Sequence, residues 1–140
     1  MKRALFVVLC LILVAGATFA EETSDLHQKT TPPINARFEI VQSQLAAKWT
    51  FRLDRFTGRV AQLVKTQNDE NSWEKMLVRD LPAITAPSRP RFQIFTSGLA
   101  ARHTFLIDTD TGRTWVIVTE KHKQPDGTEY DVNIWQPFVQ

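Results

Sequence analysis

Apolar and polar positions alternate at period two along most of the chain beyond its first twenty residues. Trp49, Phe51 and Leu53 fall on one side of an extended segment, with Lys48, Thr50, Arg52 and Asp54 on the other, and the same beat returns at His103, Phe105 and Ile107. That period, carried by aromatic and β-branched residues, predicts strands. Further strands are expected at about 60–65 and 114–120. A fourth is expected in each half, at 73–78 after the polar loop 68–72 and at 130–135 after Gln124-Pro125-Asp126-Gly127. Residues 114–118 are apolar on both faces apart from Thr114, which predicts a more central place than that of 60–63. Leu45-Ala46-Ala47, repeated at 99–101, reads as a tight connection or one helical turn.

The two halves are copies. Residues 37–64 align without a gap on 91–118, at a constant offset of 54, with 14 of 28 pairs identical. Unrelated segments would match at one or two, so the run is a duplication. Both copies carry a hairpin signal, Asp54-Arg55-Phe56-Thr57-Gly58-Arg59 and Asp108-Thr109-Asp110-Thr111-Gly112-Arg113. Asp54 and Asp108 are suited to accept hydrogen bonds from the turn's own amides, and Gly58 and Gly112 to supply a positive φ.

The segment 79–90 holds Pro82, Pro87 and Pro90, so it cannot join a central strand and reads as a linker. The organisation expected is a signal peptide at 1–20, a polar mobile leader at 21–36, β repeat 1 at 37–78, the linker, and β repeat 2 at 91–140, both repeats sharing one domain. The fold class is all-β: two tandem four-stranded antiparallel meanders packed as one sandwich or barrel, with pseudo-twofold symmetry as the simplest product. A lone meander has one greasy face and two unpaired edges, and two copies can cover each other. The runner-up is a pair of propeller-like blades, which cannot close a ring alone and so predicts an oligomer.

The first twenty residues change the reading of charge. Lys2 and Arg3 precede an apolar run at 4–14 and small residues up to Ala20, the layout of a secretory signal cleaved after Ala20 or Ala17. The run is too short for the roughly 20 residues of a membrane span. Of 17 basic residues, Lys2 and Arg3 leave with the signal, while all 15 acidic residues remain. The mature chain is thus neutral and gives no ground for a nucleic-acid partner. Cys10, the one cysteine, leaves as well, which excludes disulfides and thiolate metal sites. With no Asn-x-Ser/Thr acceptor, the chain fits a periplasmic or secreted bacterial protein.

Arg91-Phe92-Gln93-Ile94 together with the 108–113 turn and Trp115 resembles a hairpin of many small exported bacterial proteins; the first copy departs from it with Ala61 at the tryptophan position. The Asp, Thr-Gly and Trp part is also similar, over about eight residues, to the blade hairpin of quinoprotein-type propellers. The resemblance implies strand topology and no quinone cofactor.

Candidate chemistry is thin. Asp108-Thr109-Asp110-Thr111-Gly112 approaches a calcium loop, but its glycine comes one position early and the twelfth position is Thr119, so no metal is expected. His103 replaces Trp49 on a face that reads as core; it is either a hydrogen-bonded core histidine or a ligand-binding or general-base residue, with Ser97, Thr104 and Asp108 near it in sequence. The tryptophans are either core or, beside Arg59 or Arg113, a stacking platform for sugar or peptide. The speculative binding set is therefore Trp49, His103, Trp115 and Arg113. No cofactor fingerprint or nucleophile elbow is present. The expected function is a non-enzymatic envelope protein that binds an unknown protein or glycan or serves as a structural module, without stable membrane insertion and with an oligomer open. The alternatives are a two-blade lectin-like subunit that completes a propeller and a small hydrolase using His103.

Overall fold

A computed structural model describes residues 31–100 and 102–139, so the signal segment and all but the end of the leader lie outside the described residues. Eight strands occur: β1 Phe38–Gln42, β2 Thr50–Asp54, β3 Val60–Lys65, β4 Asn71–Lys75, β5 Phe92–Thr96, β6 Thr104–Asp108, β7 Thr114–Lys123 and β8 Glu129–Pro137. They form two antiparallel meander sheets, β1-β2-β3-β4 and β5-β6-β7-β8. The two sheets do not close into a barrel. At one seam Val78 makes a single parallel bridge to Trp135, and the segment beyond it carries the three prolines, which have no amide to continue a ladder.

The duplication extends to individual hydrogen bonds. The Gly58 amide donates to the Asp54 carbonyl at 2.8 Å and Gly112 does the same to Asp108 at 2.8 Å; Ser43 N–H reaches Trp49 O as Ser97 N–H reaches His103 O. The 45–47 segment is a tight turn, and in both copies the serine before it, Ser43 or Ser97, accepts with its hydroxyl the amide two residues on. Beyond the ungapped stretch the match continues at a new offset of 62. Met76 N–H donates to Val60 O and Phe138 N–H to Thr114 O, while Trp73 lies opposite Leu63 and Trp135 opposite Ile117. The difference is a longer second hairpin, in which β7 and β8 run on past the end of β6 as a two-stranded ribbon. Both β3 and β7 hold the third place in their sheets, so the more apolar β7 is distinguished by length and not by position.

The faces that meet are not equivalent. Strand registers put Val41, Phe51, Leu53 and Val60 on one face of the first sheet, and these are buried. In the second sheet the buried face carries Phe92, Ile94, Leu106, Trp115, Ile117 and Trp135. The copies of Phe92 and Ile94 are Phe38 and Ile40, which lie on the opposite, outer face of the first sheet, 56 % and 61 % exposed. Both buried faces join one core cluster. Phe51 meets Trp135 edge-on with centroids 5.6 Å apart, and the Asn133 amide donates to Gln62 across the junction. A pseudo-twofold pair would bury like faces, so that expectation is corrected.

The seam explains why. The Arg55 carbonyl accepts the amides of both Arg91 and Phe92, at 2.7 and 2.8 Å. The Phe92 ring lies over Gly58, whose φ is +75°; a Cβ there would come within 2.7 Å of Phe92 Cε1 and 2.8 Å of Leu81 Cδ1. The edge strand β5 is thereby pinned with its own apolar side turned onto the far side of β2 and β1.

Gly112, with φ +73°, has nothing within 4 Å of an added Cβ. Gly58→Ala therefore combines a left-handed backbone penalty of about 1 kcal/mol with overpacking of about 1–3 kcal/mol, whereas Gly112→Ala carries the backbone penalty alone. Urea midpoints should show Gly58→Ala as the more damaging change by at least about 1 kcal/mol; equal losses would contradict the seating of Phe92.

Candidate functional site

Each repeat is closed by an arginine and an aspartate brought together by the first strand pair. Phe38 lies opposite Asp54, and Phe92 opposite Asp108, so the preceding Arg37 and Arg91 reach back across the ladder. Arg91 donates Nε to Asp108 Oδ1 at 2.6 Å and Nη2 to Oδ2, a two-point clamp on a carboxylate without solvent exposure. Thr111 adds its hydroxyl at 2.7 Å and the Asp110 amide donates at 3.1 Å. The Arg91 clamp, stronger than the opposing effect of burial, holds the Asp108 carboxyl down to about 2 from an ordinary 3.8. In the first copy Arg37 donates at 3.0–3.3 Å, and the Thr57 hydroxyl approaches Asp54 without the close hydrogen bond that Thr111 makes to Asp108. There burial is the largest single influence and pushes the Asp54 carboxyl up, yet Arg37, the Thr57 hydroxyl and the Phe56 amide together bring it below its ordinary value. Both aspartates are thus consumed in holding turns.

The speculative binding residues separate. Trp115 is fully buried, and its indole N–H donates to the Arg79 carbonyl at 2.7 Å. Arg113 lies 5.3 Å over that ring, covering it, so neither offers a stacking platform. Trp49 and His103 do come together, lining a groove of about 420 Å³ with Arg102 and residues 116–119 of β7. His103 is exposed and stacks on Phe105, with centroids 6.3 Å apart. Its face is open because the second sheet buries the other one, which corrects the reading of that face as core. Two of the groups near it in sequence are engaged elsewhere. Asp108 is buried on the opposite face against Arg91, and the Ser97 hydroxyl accepts the Leu99 amide at 3.0 Å.

Two further features are ones that sequence reasoning missed. On the outer side of the first sheet are Phe38, Ile40 and Trp73, with Arg52 5.2 Å over the Trp73 ring. Ala61 lines a hollow of about 340 Å³ there, with Phe38, Arg52, Lys75 and Val78, at the place that Trp115 fills in the second sheet. On the outer side of the second sheet are Phe95, 60 % exposed, Phe105 and Phe138, whose rings stack and cross at centroid separations of 6.2 and 5.8 Å. The signal that could have found them is the duplication itself: repeats that match at core positions need not bury the same face.

Among the described residues, no group of three His, Cys, Asp or Glu could hold a metal ion, and no helix is long and apolar enough to cross a membrane.

Two outcomes follow from this geometry. Asp108 has its carboxyl pKa lowered by folding, so its stabilisation is complete above about pH 4 and is lost as pH falls through 2. Asp108→Asn should cost about 1.5–3 kcal/mol at neutral pH, exceed the cost of Asp54→Asn, and flatten the acid loss of stability between about pH 4 and 2 in chemical denaturation. An acid profile identical to that of the unsubstituted chain would contradict the clamp. His103→Phe should change stability by less than about 0.5 kcal/mol, since the ring is exposed; a larger loss in thermal melts would place His103 in the core. Comparison with protein-family models, with curated proteins and with solved structures finds no match for this chain.

Proposed function

We propose that the chain is an exported, non-enzymatic protein of the bacterial envelope that works by binding or as a structural module. The observation that carries this reading is the disposition of its apolar surface. The outer face of each sheet carries apolar side chains that are more than half exposed, Phe38 and Ile40 among Arg52 and Lys75 on one and Phe95 on the other. Large exposed apolar patches mark interaction sites. The buried charges, by contrast, are spent on turns, as both Arg-Asp clamps illustrate. The architecture reads best as two stacked blades of the propeller kind, because unlike faces meet and the seam lies along the first strand of the second copy. A sandwich in which like faces meet fits the registers less well. Export rests on the basic, apolar and small-residue order of residues 1–20.

Expression of the full chain in a bacterium, with N-terminal sequencing of the envelope and medium fractions, should yield a start at Glu21 or Thr18. Recovery from the cytoplasm with Met1 retained would overturn export. The mature protein should turn over no ester, peptide or glycoside in a substrate panel; turnover abolished by His103→Phe would overturn the non-enzymatic reading in favour of the hydrolase.

A further inference from the structure

The junction between the two sheets is made of two unlike faces, and each of them has a copy standing open on the outside of the same chain. We infer that the outer face of the first sheet docks onto the outer face of the second sheet of another copy, repeating between chains the junction found within one. This deepens the proposed binding role by naming the occupant of the open faces, and it rests on that reading.

The correspondence holds residue by residue. Within the chain, Phe92 seats on Gly58. The copy of Phe92 is Phe38, which is exposed, and the copy of Gly58 is Gly112, which has the same backbone conformation and open space where the Phe38 of another copy would sit. Within the chain, Phe51 crosses Trp135. Their copies are Phe105 and Trp73, on the second and first outer faces respectively. Finally, the Arg55 carbonyl receives the amides of Arg91 and Phe92, and among the described residues the matching Thr109 carbonyl receives no backbone donor outside the strand ladders. The amides to fill it are those of Arg37 and Phe38 at the free edge of β1. Docking of this kind is heterologous, one surface against a different one, so each added copy exposes a fresh pair of faces and the product is a closed ring or an open chain.

Two departures shape the contact. Arg52 stands where the second sheet has Leu106, and Ala61 where it has Trp115. The hollow at Ala61 is therefore unfilled from its own sheet, leaving room for a side chain from the incoming copy. Arg52 already lies over Trp73, so its guanidinium has an aromatic face to rest on when covered.

The test uses sedimentation velocity of the mature chain with two single variants, Phe38→Asp and Phe95→Asp. Both residues are more than half exposed, so each variant should keep the fold and melt with the unsubstituted chain at concentrations too low for association. The unsubstituted protein should sediment as species larger than one chain that grow or saturate with concentration through the micromolar range. Each variant alone should lose association by about thirtyfold or more, since one of its two faces is spoiled. An equimolar mixture should form a species of two chains and stop there, joined through the intact face of each. A monomer at every concentration would overturn the inference while leaving the export and turnover tests of the proposed function untouched. Variants that still pair with themselves would overturn it in favour of like-face docking. Retained monomers that bind a hydrophobic peptide or glycan through Phe38 would overturn it in favour of a foreign occupant.

Discussion

The structure depends on one seam, where the Arg55 carbonyl takes the amides of Arg91 and Phe92 and the Phe92 ring lies on bare backbone at Gly58. A sheet of four short strands is marginal by itself because one face and both edges stay unpaired. The seam solves one edge and one face at a time. It satisfies the outward amide of β5, and it tips the second sheet so that Ile94, Leu106, Trp115 and Trp135 come down on Phe51 and Leu53. Glycine is required because the ring comes closer than any Cβ permits. The hairpin's positive φ, set up by local turn geometry, thus also serves the packing of the whole chain.

Strand content, the meander order and the duplication were legible from alternation and from the 54-residue offset, since a half-buried strand writes its two faces directly into the sequence. Which face would be buried was not legible. Phe51 and Phe105 are the same residue in the same register, yet one is buried and the other half open. Identity between repeats records ancestry and local turn chemistry, as in the paired Asp-Gly hairpins, but the second copy packs against a surface that the first copy never sees. The tryptophans illustrate the same point. Trp115 and Trp135 belong to the core, while Trp73, the structural copy of Trp135, lies outside it, hidden from a gapless alignment by the eight extra residues of the second hairpin. Of the residues suggested as a binding set, only Trp49 and His103 share a groove.

The polar groups follow a consistent logic. A carboxylate enclosed by strands needs donors on both oxygens, and Arg91, Thr111 and the turn amide supply them for Asp108. The first copy makes the same pairing with longer contacts and a more exposed arginine. What such charges contribute is orientation of the turns. Exposed apolar side chains, Phe38 and Ile40 on one outer face and Phe95 on the other, are left there by the same asymmetry that organises the core.

A double-mutant cycle between Phe51 and Trp135 tests that asymmetry most directly, with both residues changed to Leu singly and together and stability measured by urea unfolding. The rings cross at 5.6 Å, so their coupling should be about 0.5–1.5 kcal/mol, whereas Phe105 and Trp135, on opposite faces of one sheet, should combine additively. Coupling of Trp135 to Phe105 with none to Phe51 would contradict the stacking of unlike faces.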